Sequence, residues 1–255
     1  MSVKNNIWKH ILKINNFIKG KSIIITANDI KKCKNTWIGK KNQFEPRLLC
    51  SQNTNKLDIF IENNISILPI KNGTYLISDS NIYCNLFYNN NKIIKINNNN
   101  DEILLTLGNS EQTKLDYLRY TDVFENYYIK EKIKYDKLLT SRHRLTMKMI
   151  LNKKKLNIES VQIEIDGCYV SDNNIILIEM KNNKKNIDFF NIRQLYYPYR
   201  YVYDFLQNNH IKKNIICLFI HYINNKYHIR WYKFKKYNIF DSIYLHDYRV
   251  FEIIK

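Results

Sequence analysis

The sequence predicts an α/β protein, a central mixed sheet flanked by helices with an N-terminal α/β region ahead of it, on three observations. Apolar residues recur at helical spacing near the start of the chain (Ile7, Ile11, Ile14 and Phe17) and in a longer segment from about 188 to 206. Between them lie short alternating or continuously apolar runs typical of strands, among them RLTMKMIL at 144–151, VQIEIDGCY at 161–169 and IILIEMK at 175–181. The C-terminal half then reads in the order helix, three strands, helix, two strands, which suits a sheet covered by helices.

Taken in order, an amphipathic helix over 6–18 precedes a short strand at Lys21–Ile25, and Thr26 is placed to cap a helix over 27–34. From 57 to 87 the chain reads as β-rich, with LDIFI, ISILPI, TYLIS and IYCNLF separated by Asn, Gly and Ser turns. The Asn-rich stretch 88–102 reads as disorder or a long surface loop. A domain boundary falls after it, between 100 and 125, which divides the chain into an N-terminal region 1–115 and a second domain 116–255. Within the second, 121–139 reads as a helix, followed by the three strands. The helix over 188–206 comes next, with Pro198 expected to kink or restart it. Strands at 215–222 and 227–234 complete the reading.

Composition narrows the function classes. A chain of 255 residues with 45% hydrophobic and 14% aromatic residues can bury a real core and is not a disordered one. The net charge of +18 points to a polyanionic partner, with nucleic acid the commonest for a basic protein. Only eight of the 41 basic residues are Arg, however, and Lys, Asn, Ile and Tyr are all residues that AT-rich codons favour. Charge is therefore the weaker half of the case. Five scattered cysteines without CxxC pairs, and six histidines without zinc spacing, argue for free thiols and against a zinc module. Neither a signal peptide nor an apolar run of membrane-spanning length is visible, so the expected compartment is the cytoplasm. The sequence has no Gly-rich phosphate loop and no Ser nucleophile elbow, which leaves NTP-driven and acyl-transfer chemistry without support.

The chemistry concentrates at 161–181. Residues two apart on a strand share a face, so Glu179 and Lys181 aim a carboxylate and an ammonium at one spot, and a hairpin brings Asp166 beside them. An acid inside the apolar run IILIEMK is costly unless paired or bound to metal. Two carboxylates, Asp166 and Glu179, can hold Mg²⁺, with the backbone carbonyl of Met180 as a further ligand. Lys181 can orient a metal-activated water, or accept its proton if its pKa is depressed. Gln162 and Glu164 share the strand face of Asp166, and Glu125 is a further acid ahead of the sheet. Asp29-Ile30-Lys31 matches the same acid-x-Lys pattern, but it lies on a helix with no acidic strand before it.

The D-x(12)-E-x-K arrangement resembles the PD-(D/E)xK nuclease superfamily, and more closely its type II restriction endonucleases. The matching segments are QIEID (Gln162–Asp166), the E-x-K strand (Glu179–Lys181) and RQLYYPYR (Arg193–Arg200), with FEPRLL (Phe44–Leu49) and ISILPI (Ile65–Ile70) upstream. The resemblance implies a restriction-endonuclease-like core and Mg²⁺-dependent cleavage of double-stranded DNA at a short site. It also implies a cognate DNA methyltransferase as genetic partner, and cutting both strands of a symmetric site favours a homodimer. In that arrangement Gln194 orients the attacking water or Lys181, while Arg193 and Arg200 bind DNA phosphate. Tyr196, Tyr197, Tyr199 and Tyr203 read as core, and Lys153–Lys155 and Lys184–Lys185 as flanking phosphate contacts. Two departures stand out: Glu164-Ile165 precede Asp166 without a Pro, and Pro198 replaces the tyrosine of the Q-x-x-x-Y element in related nucleases. The N-terminal helix–strand–helix resembles a winged-helix DNA reader, which makes 1–115 a candidate for recognition. Two alternatives remain: a repair, junction-resolving or mobile-element nuclease, or a DNA-binding protein on this fold that does not cut.

Overall fold

The structure, a computed structural model, describes residues 2–38, 44–51, 56–88, 92–97, 108–136, 139–183 and 185–254. At the N-terminus, Ser2 caps α1 (Val3–Ile14) by accepting from the Asn5 N–H, and Ile7, Trp8, Ile11 and Leu12 bury its apolar face. After β1 (Ile23–Thr26), helix α2 (Ala27–Cys33) begins with a reciprocal capping box. The Asp29 N–H donates to Thr26 Oγ1 at 3.1 Å, and the Thr26 N–H donates to the Asp29 carboxylate at 2.9 Å. Asp29 is thus occupied in holding a helix end, an arrangement that contributes about 1 kcal/mol.

Two short helices follow, α3 (Pro46–Cys50) and α4 (Asp58–Glu62), then strands β2 (Ser66–Lys71) and β3 (Thr74–Ser78). The LDIFI run was expected as a strand and is helical because α1 pins its first turn. Asn5 donates to the Asp58 carboxylate at 2.6 Å and accepts from the Ile59 N–H at 3.3 Å, while Phe60 inserts into the core beneath.

Two larger sheets make up the body of the molecule. One has the order β1-β3-β2-β8-β7 and contains a long hairpin, β7 (Leu139–Leu151) and β8 (Lys154–Ile165). Asn152 and Lys153 at its tip both have positive φ (47° and 63°), as a tight two-residue hairpin turn requires. This sheet joins the N-terminal unit to the second half of the chain, since β2 meets β8 in parallel at Lys71 and Glu159.

The other sheet is seven-stranded and mixed. Its order is β5 (Ile93–Asn97), β14 (Ile243–Ile254), β13 (Lys226–Phe234), β12 (Asn214–Ile223), β10 (Asn174–Asn182), β9 (Gly167–Val170) and β6 (Tyr135–Asp136). The β10–β12 and β14–β5 pairs are parallel and the remaining pairs antiparallel. Strand β5 replaces the loop expected over 88–102: Ile94 and Ile96 face the core and the strand pairs with β14. Residues 89–91 and 98–102 of that stretch lie outside the described residues. Strand β14 had no counterpart in the sequence reading.

The helix expected over 121–139 lies earlier in the chain. Helix α5 (Glu111–Arg119) is capped by Ser110, and a separate π-helical turn spans Glu125–Ile129, with positive φ at Asp122 and Lys130 closing it off on both sides. A short pair of strands, β4 (Tyr83–Asn85) and β11 (Phe189–Asn191), precedes α6 (Arg193–Asn208). Helix α6 runs through Pro198 without a restart. Packing on two sides holds it together. Tyr196 and Tyr197 bury against the hairpin sheet, and Leu195, Val202 and Leu206 against the seven-stranded sheet.

The seven-stranded sheet also buries a polar row. His221 and His228 are register partners, hydrogen-bonded through Nδ1 to the Tyr88 and Tyr248 hydroxyls at 2.7 and 2.6 Å, and Arg230 donates to the Phe87 carbonyl. Burial first, then neighbouring positive charge, holds both imidazoles down to about 4. A base depressed in the folded state binds fewer protons there than when unfolded, so its stabilising contribution is lost as pH falls from about 6.5 to about 4. The two imidazoles thus contribute a fall in melting temperature through that window. The His228→Asn protein should show a shallower slope of melting temperature against pH, and an unchanged slope would contradict the assignment.

Candidate active site

Asp166 sits where the chain leaves one sheet for the other: β8 ends at Ile165 and β9 starts at Gly167. The crossing is tight. A Cβ on Gly167 would lie 3.1 Å from Leu115 Cδ2 and 3.4 Å from Ile178 Cβ, so a larger residue would make the Leu115 side chain of α5 give by a few tenths of an ångström. Backbone bonds fix Asp166 to the neighbouring strand from both directions. Its N–H donates to the Ile178 carbonyl at 3.1 Å, and the Met180 N–H donates to its carboxylate at 2.7 Å.

Glu179 and Lys181 share one face of β10, as their spacing requires. Lys181 Nζ lies 2.7 Å from Glu179 and 3.9 Å from Asp166, and it donates to the Met180 carbonyl at 2.7 Å. From the first turn of α6, the Gln194 side-chain amide donates to the Glu179 carboxylate. Five sequence-selected residues, Asp166, Glu179, Met180, Lys181 and Gln194, therefore converge. The amide of Gln194 is spent on holding Glu179.

Burial dominates the electrostatics. It pushes the Glu179 carboxyl up to about 7 against the pull of Lys181, and it raises Asp166 against Lys181 and the Met180 N–H. For Lys181 burial works against the charge, but Glu179, Asp166 and Glu111 outweigh it and hold the ammonium above the ordinary lysine value. The expectation that Lys181 could serve with a depressed pKa is therefore corrected. In this arrangement it is a charged donor.

Glu111 escaped the sequence reading. Placed at the start of α5, it lies 3.5 Å from Lys181 Nζ and accepts from the Asn182 N–H at 3.3 Å. Ser110 followed by an acid is a helix-start signal, and it went unread because the helix was placed about ten residues later. Glu125 is elsewhere, buried in an ion pair with Arg119 at 2.9 Å.

Other expectations divide. Gln162, Glu164, Asp166, Lys181 and Arg193 line one groove of about 510 Å³, which Arg47 and Asn72 of the N-terminal unit also line. The Arg193 guanidinium leans on the Tyr197 ring, its centre 5.9 Å from the ring centroid, and no carboxylate pairs with it among the described residues. Arg200 does not reach the groove. It is buried, ion-paired with Asp204 at 3.2 Å, and donates to the Lys148 and Tyr237 carbonyls, so a phosphate-binding role for it is corrected to a structural one. Lys153–Lys155 lie at the far tip of the hairpin, roughly 36 to 43 Å of extended strand from Asp166 at about 3.3 Å per residue, and do not flank the site. Lys184 lies outside the described residues.

The donor set fits a hard divalent cation. Asp166, Glu179 and the Met180 carbonyl all lie within 3.9 Å of the Lys181 Nζ, which stands at the point they share, and the Gln194 Oε1 is buried without a hydrogen-bond partner among the described residues. Among the described residues no three His, Cys, Asp or Glu side chains form a ligand cluster by themselves. The chain thus offers two carboxylates and a carbonyl and leaves other positions to water, as Mg²⁺ sites commonly do.

Residues 78–252 match a domain of unknown function, DUF6997. The chain belongs to this family. Residues 5–77 match a second domain of unknown function, DUF6996, so the two matches meet at 77/78, at the end of β3. No curated protein and no solved structure matches the chain. The DUF6997 segment contains all of Glu111, Asp166, Glu179, Lys181, Arg193 and Gln194, while Arg47 and Asn72 come from the DUF6996 segment.

Proposed function

We propose that this protein is a Mg²⁺-dependent type II restriction endonuclease that hydrolyses phosphodiester bonds of double-stranded DNA at a short specific site. The observation that carries the reading is the convergence of Asp166, Glu179, Lys181 and the Met180 carbonyl at adjoining strand ends, beside an open groove. A restriction-endonuclease-like core is supported by the succession of α5, the β8–β9 crossing, β10, α6 and β12. A winged-helix-like reader is supported by the N-terminal order of α1, β1, α2, α3, α4, β2 and β3 with strand order β1-β3-β2.

Asp166, Glu179 and the Met180 carbonyl are the groups that would hold Mg²⁺, and a bound Mg²⁺ lowers the pKa of its water and neutralises charge developing on phosphate. The chain's own groups do the rest. Backbone bonds to β10 set the Asp166 carboxylate, and the Gln194 amide sets that of Glu179. Lys181, as an ammonium, is a donor to the attacking water or to a phosphate oxygen. Arg193, whose guanidinium pairs with no carboxylate among the described residues, supplies a contact to the DNA backbone that positions the duplex without reading it. Cutting both strands of a symmetric site favours a homodimer, and protection of host DNA calls for a cognate methyltransferase.

The test is incubation of the purified protein with plasmid and phage DNA in Mg²⁺ and in EDTA. Discrete fragments in Mg²⁺ and none in EDTA are expected. Structure-dependent nicking without fixed fragments would move the reading to a repair or junction nuclease, and intact DNA that is nevertheless bound would leave a non-cutting DNA-binding protein.

A further inference from the structure

Taking the nuclease reading as its basis, we infer that the protein reads its DNA sequence at the place where it cuts, through Arg47 and Asn72 of the N-terminal unit. Both side chains line the groove that holds Asp166, Glu179 and Lys181. Both residues are exposed, and among the described residues neither side chain takes part in a hydrogen bond or ion pair. They are thus available to a ligand.

Their supports are rigid. Asn72 occupies the turn between β2 and β3, whose next residue, Gly73, has φ +69°, a conformation that favours glycine. The Gly73 carbonyl accepts from the Ala27 N–H at 2.7 Å, which ties the turn to the start of α2. Lys71, just before it, pairs with Glu159 of β8 at 3.0 Å. Farther back on β2, the Pro69 carbonyl accepts from the Tyr197 hydroxyl at 2.9 Å, and Tyr197 lies one helical turn from Arg193 and Gln194 on α6. The reading turn is therefore fastened to the same helix that positions Glu179. Arg47 rides on α3, which is held to α1 by the Trp8 indole donating to the Leu49 carbonyl at 3.1 Å.

The side-chain chemistry matches base edges. A guanidinium forms two hydrogen bonds to the guanine O6 and N7, and a carboxamide forms two to the adenine N6 and N7. Base pairs are stacked about 3.4 Å apart, so bases touched from a groove of about 510 Å³ lie only a few steps from a phosphate placed beside Lys181. Recognition and scission then fall within one short sequence.

The experiment compares the full-length wild-type, Arg47→Ala and Asn72→Ala proteins. Each digests a library of randomised duplexes in Mg²⁺, and the ends are sequenced. Expected for wild type is a cut inside the recognised sequence or at its edge. Each variant should cut the preferred site roughly tenfold to a hundredfold more slowly and accept sequences changed at one position, with its melting temperature preserved. Two results would overturn the inference while the nuclease reading stands: a cut displaced by half a helical turn, about five base pairs, or more from the recognised sequence, or both variants keeping the wild-type pattern. A wild-type protein that cuts nothing in Mg²⁺ would overturn both.

Discussion

Asp166→Ala and Lys181→Ala proteins are expected to leave DNA uncut in Mg²⁺ while binding duplex close to the wild-type level. Asp166 is one of the two carboxylates facing the proposed cation position, and its removal takes away one of the two proposed carboxylate ligands, while Glu111 pairs with Lys181 and the Asn182 N–H. Lys181 contributes the charged donor nearest both carboxylates, at 2.7 and 3.9 Å. Loss of one such preorganised donor costs roughly 10²- to 10³-fold in rate. Folding has to be separated from chemistry here, because removing one member of a buried ion pair destabilises by about 3–5 kcal/mol. Asp166→Asn provides that control: it keeps the shape and an acceptor for the Met180 N–H but removes the charge. It should melt near wild type and still fail to cut. Full activity in any of these proteins would remove the site assignment.

Arg200→Ala is expected to lower stability by about 2–4 kcal/mol, whereas Arg193→Ala should leave the melting temperature unchanged and weaken DNA binding. The two arginines sit two helical turns apart on α6 and differ in what surrounds them. Arg200 is 5% exposed, and its removal strands the Asp204 carboxylate and two backbone carbonyls that it now satisfies. Arg193 has no carboxylate to strand among the described residues, and it lines the groove. Losing one phosphate contact should also reduce the slope of log affinity against log salt by about one. Chemical denaturation and a salt titration of binding read the two effects separately, and an exchange of phenotypes between the two variants would contradict the structure.

How far the sequence could be read depended on how local the determining interactions are. The Thr26 cap, the β10 run and the Glu179–Lys181 spacing follow from neighbours within a few residues, and all of them appear in the structure. LDIFI failed because its helical state is set by Asn5, more than fifty residues away, and KIIKI because its pairing partner β14 lies at the other end of the chain. Within the site, residues carried on β8, β10 and the start of α6 were legible as one pattern, since each lies on an element whose period shows in the sequence. Glu111 was not, because its approach to Lys181 depends on where α5 docks against Gly167. Arg200 was misread for a related reason. Sequence places it on the right helix, but only packing shows that it faces Asp204 and the hairpin and not the groove.

The central claim, that Asp166 and Glu179 support Mg²⁺-dependent hydrolysis of DNA, is tested most directly by one side-by-side measurement. Wild-type and Glu179→Ala proteins, purified identically, are incubated with supercoiled plasmid in Mg²⁺ and in EDTA, and the rate of linearisation is followed. Wild type should linearise the plasmid only in Mg²⁺, and Glu179→Ala should leave it supercoiled under both conditions. Equal linearisation by the two proteins, or cleavage by wild type that persists in EDTA, would contradict the account.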